Sequence, residues 1–335
     1  MTTAVRFHEY GGPEVLRLEE VEPGEPGPGE VRLRVEAIGL NRAEALFRGG
    51  RYLESVRHFP ARIGTEAAGV VEAVGSGVSG LAPGQPVSTV PGFPQERHGV
   101  YAEQAVVPAA SVLARPEQVG AVEGAAVWMA HLTAYGALVE AGGLRPGDTV
   151  VLNAASSSVG LAALRLVRRL GATPVALTRT AAKREALLRE GAAEVIVTGE
   201  TDPEGVARRV REVSEGRGAE LVFDAVAGPG VVDLARLAAP GGTLLVYGAL
   251  SGQPTPYPGL ELGLPALNMR SFTMAETARD PERLRRAAAF IVSGLLAGSF
   301  RAVVDRTFEL REIVEAHRYL ESNAQVGKIV VTVPH

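Results

Sequence analysis

Residues 149–172 read TVVLNAASSSVGLAALRLVRRLGA. A short apolar run, a cluster of small residues, then apolar positions at helical spacing describe a strand, a tight turn and a helix. Gly171 sits where a helix ends on a glycine. From here strands and helices alternate. TPVALTR precedes AAKREALLREG, AEVIVT precedes PEGVARRVREVSEG, and ELVFDAV, GTLLVYGA and SFTMAE supply three more strands. Such alternation means βαβ crossovers and a parallel sheet covered on both faces, an α/β Rossmann-type domain.

A dinucleotide-binding turn places glycines at G-x-G-x-x-G, the last for close helix–strand packing. Here Ala155, Ser157 and Gly160 take those three places, with Ser156, Ser158 and Val159 between and beside them. Every position that must be small is small. The serine hydroxyls could donate to phosphate oxygens, so the turn reads either as a pyrophosphate cradle or as a plain βα turn. The next strand favours the cradle. Sites for the unphosphorylated cofactor carry Asp or Glu there, on the ribose 2′-hydroxyl. No acid lies between Leu177 and Arg184. Thr178, Arg179, Thr180, Lys183 and Arg184 stand in its place, a set that suits a 2′-phosphate and therefore NADPH. Lys183 and Lys328 are the only lysines in the chain.

One literal G-x-G-x-x-G exists, at Gly75, Gly77 and Gly80. The residues after it, LAPGQPV, cannot begin a helix. It reads as a turn between strands. The first 120 residues are strand-like throughout, with VRLRVEAIGL and EAAGVVEAV punctuated by EPGEPGPGE, LAPGQPV and VPGFP. They suggest a barrel-like β domain. The last segment holds two helix patterns, LRRAAAFIVSGLLAG and EIVEAHRYLES, then the short strand GKIVVTV. A lone strand needs a sheet, so the chain is expected to return to the first domain.

Composition narrows the chemistry. Of 335 residues 46% are hydrophobic, and a net charge of -4 offers no long-range attraction for nucleic acid or an anionic membrane. The apolar stretch from Ala121 to Gly143 is broken by Glu123, His131 and Glu140 and reads as a buried helix rather than a membrane span. There is no cysteine, hence no thiolate metal site, disulfide or cysteine nucleophile, and the six histidines show no ligand spacing. A cytoplasmic location is expected, since the first residues lack an apolar signal-peptide core. A tyrosine four residues before a lysine, as short-chain dehydrogenases require, is absent, because positions 179 and 324 are Arg and Ala.

The stretches PGPGEVRLRVEAIGLNRAEALFRGGRY, IGTEAAGVVEAVGSGVSGLAPGQPV, GVYAEQAVVP, HLTAYGAL, DTVVLNAASSSVG, LVFDAVAGP, GGTLLVYGAL and GKIVV follow one another in order. Together they resemble the medium-chain dehydrogenase/reductase superfamily, in its zinc-free branch of quinone-oxidoreductase-like enzymes. The resemblance implies a GroES-like, β-barrel-type catalytic domain over residues 1–122, a Rossmann domain over 123–279, and a return to the catalytic domain over 280–335. It implies an active site in the cleft between them and a homodimer through the Rossmann sheet edge. Metal-using relatives carry a Cys ligand where this chain has Asn41 and a His ligand where Gly64-Thr65-Glu66 has threonine, so no metal is expected.

By resemblance, Asn41, Tyr52 and Thr65 line the nicotinamide site. Tyr52 is a hydrogen-bond donor to the substrate oxygen or a loop tyrosine over apolar surface. Thr133 falls near the nicotinamide ribose or bonds its own helix backbone. Val226, Gly228, Tyr247 and Gly248 fall at the carboxyl ends of strands, where open sheets bind ligands. RGGRYLESVRHFP and LSGQPTPYPGLELGLPA are expected to shape the substrate pocket. The implied function is an NADPH-dependent, metal-independent reductase of a small-molecule quinone or α,β-unsaturated carbonyl. The alternative is an NADPH-binding redox sensor or structural protein without turnover.

Overall fold

The computed structural model describes residues 1–259 and 266–335. Its strands, in chain order, are β1 (Thr2–Phe7), β2 (Arg17–Val21), β3 (Glu30–Gly39), β4 (Ala61–Arg62), β5 (Ala67–Val74), β6 (Pro86–Thr89), β7 (Gln104–Pro108) and β8 (Val112–Ala114). There follow β9 (Thr149–Leu152), β10 (Thr173–Thr178), β11 (Glu194–Val197), β12 (Ala219–Asp224), β13 (Ala238–Val246) and β14 (Asn268–Ser271), then β15 (Val304–Glu309) and β16 (Lys328–Thr332). The chain divides into two compact units, one of residues 1–129 with 301–335, the other of residues 130–300.

The second unit is a parallel sheet in the order β11-β10-β9-β12-β13-β14. Counted from its own first strand this is 3-2-1-4-5-6, the order that puts a crevice at the carboxyl ends of the two central strands. All four residues of β9 are buried, as a strand covered on both faces demands. Each such aliphatic side chain contributes about 1.5–3 kcal/mol by leaving water. The helix Ser158–Arg169 buries Leu161, Leu164, Leu166 and Val167 and ends on Arg168 and Arg169, which complement its dipole. Gly171 follows at φ 75°.

The first unit holds a three-stranded sheet, β2-β1-β4, and a larger one running β15-β16-β3-β5-β6-β8, with β7 also paired to β3. β3 is the hub, and its alternating burial matches its alternating sequence. The return of the C-terminal strand is direct: β16 pairs antiparallel with β3, Val330 opposite Gly39. The glycine-rich stretch after β5 is a turn leading to β6, as its prolines require. A Cβ on Gly75 would meet the Gly27 carbonyl oxygen at 1.8 Å, so loop packing explains that glycine.

Two details differ from the sequence reading. The sixth strand of the parallel sheet is Asn268–Ser271 rather than SFTMAE. Beyond it Thr273 N–H donates to the Glu276 carboxylate and opens a helical turn, which ends the pairing. The units part at Met129 and Phe300 rather than at residues 122 and 279. The helix Pro281–Leu296 buries Ala287 and Ile291, and its Arg283 pairs with Glu140 at 2.8 Å, all inside the second unit. The loop LSGQPTPYPGLELGLPA lies partly outside the described residues, from 260 to 265.

Candidate active site

In the second unit the turn after β9 leads straight into a capped helix. Ser157 caps the helix Ser158–Arg169, its Oγ accepting from Gly160 N–H at 3.1 Å. Leu161 N–H bonds the Ser157 carbonyl. The first N–H groups of a helix have no partner within it, so Ser158 and Val159 present theirs outward, at the positive end of the dipole. Ala155 is fully buried. Ser156 Oγ lies 3.4 Å from Lys183 Nζ, which joins the turn to the tip of β10. Arg179 and Thr180 are exposed at that tip, and Thr178 is buried, its hydroxyl donating to the Thr180 carbonyl at 3.3 Å. Arg184 does not join them. It donates to the Val195 carbonyl at 2.8 Å and ties its helix to β11.

The neighbouring strand tip is pinned by Asp224, fully buried. Its carboxylate accepts from Asn153 Nδ2 at 2.7 Å, Val226 N–H at 2.9 Å and Ala227 N–H at 2.8 Å. Tyr247 stacks on Phe223 with ring centroids 4.0 Å apart. Its hydroxyl is buried beside Ser157 without a hydrogen bond of good geometry among the described residues, and burial pushes the phenol up. Gly248 lies against the Ala225 backbone. Thr133 is buried in the helix Ala121–Ala134. An unpartnered hydroxyl, an open helix N-terminus and a lysine at the next strand tip together fit a phosphorylated dinucleotide.

The first unit holds a second constellation. Asn41 precedes the helix Arg42–Arg48, and its N–H donates to Glu44 Oε2 at 2.7 Å. Asn41 Nδ2 donates to the Gly39 carbonyl at 3.2 Å and to Glu66 Oε2 at 3.1 Å. Lys328 Nζ donates to Asn41 Oδ1 and to Glu66 Oε2, each at 2.5 Å. Glu66 Oε1 accepts from Met129 N–H at 2.9 Å. Thr65 Oγ1 donates to Glu44 Oε1 at 2.9 Å. Glu44, Glu66 and Lys328 are essentially inaccessible, while Thr65 and Asn41 keep 8% and 7% exposure, so only these two reach the surface of the cluster. Tyr52 packs partly buried against the hydrophobic core of this unit.

Comparison with known proteins fits this arrangement. An alcohol dehydrogenase GroES-like domain model matches residues 27–117, and a zinc-binding dehydrogenase model matches residues 190–331. A quinone oxidoreductase of Pseudomonas aeruginosa is 32% identical over 99% of both chains. This chain belongs to the medium-chain dehydrogenase/reductase superfamily. Within it, a 2-haloacrylate reductase from a Burkholderia species is 30% identical over 99% of both chains. Among solved structures, an Escherichia coli quinone oxidoreductase complexed with NADPH superposes with a TM-score of 0.89 at 27% identity, over 98% of this chain and 99% of that one. A mycobacterial protein complexed with NADPH gives 0.89 at 29% identity, over 99% and 100%.

In this medium-chain oxidoreductase no group of three or more His, Asp or Glu side chains could hold a metal among the described residues, and no helix described is long and apolar enough to cross a membrane. Lys328 puts an ammonium among oxygen acceptors instead. Both protons of the Asn41 amide are spent on Gly39 and Glu66, so Asn41 anchors the cluster and Thr65 is the member whose hydroxyl can change partners. Sequence reading missed Glu44, although N-x-x-E at 41–44 has the spacing of a capping box, which would have marked it.

Two buried groups of the first unit titrate in opposite senses. Burial raises the Glu44 carboxyl from 4.5 to about 7, against the pull of Lys328 and the Thr65 hydrogen bond. Burial, with Arg48 and Arg42 nearby, lowers His317 from 6.5 to about 3. Between pH 4.5 and 6.5 the folded Glu44 holds a proton that the unfolded one has lost, so its contribution to stability falls as pH rises. The folded His317 lacks a proton that the unfolded one binds, so its contribution rises. The slopes, each about 1.4 kcal/mol per pH unit, cancel. Stability of the wild type should therefore be nearly flat over this range. His317→Gln should expose a fall of about 3 kcal/mol from pH 4.5 to 6.5. Urea melts at the two pH values check it; a flat profile in the variant would refute the assignment.

Proposed function

We propose that this protein is an NADPH-dependent, metal-independent reductase of quinones or α,β-unsaturated carbonyls. The observation that carries the reading is the link from Ser156 to Lys183 beside an acid-free strand tip. A carboxylate there would repel a 2′-phosphate; an ammonium and two threonine hydroxyls attract it. Both relatives with NADPH in their structures, and relatives that reduce quinones or a haloacrylate, support the cofactor and substrate class.

Bound NADPH would supply a hydride from the nicotinamide ring to a conjugated acceptor. The chain's part is to hold it and to meet the charge that develops on the acceptor. The N–H groups of Ser158 and Val159 and the Ser156, Ser157 and Tyr247 hydroxyls take the pyrophosphate region, and Thr178, Arg179, Thr180 and Lys183 the 2′-phosphate. Thr133, Val226 and Gly248 border the nicotinamide half. On the acceptor side, Tyr52 stabilises the substrate oxygen as it gains negative charge, Thr65 presents its hydroxyl to the acceptor, and Asn41 fixes the cluster behind Thr65.

Titration of the protein with NADPH, followed by addition of 1,2-naphthoquinone or 2-cyclohexenone, tests this. Oxidation of NADPH with either acceptor is expected. Tight binding with no oxidation by any acceptor would favour a non-catalytic sensor, and no binding would defeat both readings. Lys183→Ala should reduce the preference for NADPH over NADH by roughly 10–100-fold, the loss of one charge-assisted hydrogen bond of about 1.5–3 kcal/mol. Steady-state KM values for the two cofactors measure it, and an unchanged ratio would remove Lys183 from the site.

A further inference from the structure

We propose that Glu44 feeds a proton through the Thr65 hydroxyl to the α-carbon of an α,β-unsaturated carbonyl substrate, which makes enones, rather than quinones alone, the class this site is built for. The inference rests on the reductase reading above.

The geometry fixes where a proton on Glu44 must sit. Oε2 accepts the Asn41 backbone N–H, a donor that cannot reverse its role. A neutral Glu44 therefore carries its proton on Oε1, 2.9 Å from Thr65 Oγ1. With Glu44 ionised, Thr65 donates inward. With Glu44 protonated, the carboxylic acid donates to Thr65, and the Thr65 proton is released toward the cluster's exposed side. Thr65 has the reach for this and Glu44 does not, since Glu44 is wholly inaccessible.

The surrounding charges keep Glu44 in play. Lys328 on β16 is committed to Glu66 and Asn41, so among the described residues Glu44 has no cation in contact. Glu66, just before β5, adds negative charge. The buried Tyr101, whose phenol is pushed up by burial and by Glu44, is neutral, and Arg48 is paired with Glu321. The carboxyl accordingly changes state near neutral pH, where a proton donor is useful.

The step balances. A hydride adds to the β-carbon, forming a C–H bond, and the C=C electron pair shifts to give an enolate. The enolate re-forms C=O as its α-carbon takes the Thr65 proton. Thr65 takes the Glu44 proton, and Glu44 is left as a carboxylate that regains a proton from water through Thr65. The sum is enone, NADPH and one proton giving saturated carbonyl and NADP+. A reduced quinone takes its protons on oxygen, where water supplies them readily, and has less need of the relay.

The test compares wild type, Glu44→Gln, Thr65→Val and Thr65→Ser with 2-cyclohexenone and 1,2-naphthoquinone. The ratio of enone to quinone kcat should fall about 100-fold in Glu44→Gln and Thr65→Val, within the range of general acid catalysis, and recover in Thr65→Ser. In deuterium oxide, α-carbon labelling of a 2-substituted enone should be stereospecific in the wild type and mixed in Glu44→Gln. Independently of turnover, carbon-13 NMR of glutamate-labelled protein should show one carboxyl titrating near neutrality, absent in Glu44→Gln and shifted in Thr65→Val. A rate ratio within twofold of wild type in both variants would overturn the relay. Failure of the wild type to oxidise NADPH with either acceptor would instead defeat the reductase reading, and the relay with it. Should Glu44→Gln fail to fold, Thr65→Val, isosteric with threonine, carries the test alone.

Discussion

Gly160→Val is expected to abolish NADPH binding, raising Kd at least about 100-fold. A Cβ at this position would lie 2.4 Å from the Ala155 carbonyl oxygen and 2.6 Å from its C and Cα atoms. All three are backbone, and no rotamer change relieves the contact. The helix Ser158–Arg169 must then move away from β9. That movement withdraws the N–H groups of Ser158 and Val159, and breaks the geometry in which Ser157 Oγ caps Gly160. Overpacking of this kind also costs about 1–3 kcal/mol of stability. Fluorescence titration with NADPH measures the first effect, and thermal melting the second. The glycine of the literal G-x-G-x-x-G supplies the contrast. Gly77 has φ 76° and nothing within 4 Å of its Cβ position. Gly77→Ala should cost about 1 kcal/mol through its left-handed backbone and leave NADPH binding within twofold of wild type. If the two variants bind NADPH equally well, the cradle is not where we place it.

Lys328→Met is expected to be the most destabilising change in the first unit, by about 3–5 kcal/mol, because it removes one partner of a buried ion pair. Glu66 is fully inaccessible and, among the described residues, would keep Asn41 Nδ2 and Met129 N–H as donors. Glu44, already raised by burial, would lose the nearby ammonium and be raised further. For a domain of this size the loss corresponds to roughly 6–20 °C in Tm. Calorimetry of the single and double variants separates the pair from its parts. Lys328→Met with Glu66→Gln should recover more than half of the loss, since two neutral side chains leave no unpaired charge. A single variant melting within 2 °C of wild type would show that the ammonium and carboxylate are not coupled as the geometry indicates.

The second unit could be read almost residue by residue. Its strands are short apolar runs and its helices carry a single apolar stripe, and both patterns are local properties of pleat and turn. The choice of the serine turn over the glycine-rich decoy was also local: a helix can follow Ser157 and cannot follow Pro83. Arg184 shows the limit. It shares a short segment with Lys183, yet only tertiary packing against β11 turns it to the Val195 carbonyl. The same holds for Asn41, which the resemblance sets beside the nicotinamide and whose amide protons the fold spends inside the unit.

What the amino-acid order determined alone was the parallel sheet, the β-rich first domain, the small-residue turn after β9 and the basic side chains near the tip of β10. What the tertiary structure decided was the cluster of Asn41, Glu44, Thr65, Glu66 and Lys328. Lys328 stands 287 residues from Asn41 and 262 from Glu66. Periodicity reports on neighbours a few positions apart, because backbone hydrogen bonding and side-chain direction repeat over that range. A contact across nearly the whole chain depends on which strand closes which sheet, and only the pairing of β16 with β3 brings that ammonium to its carboxylate.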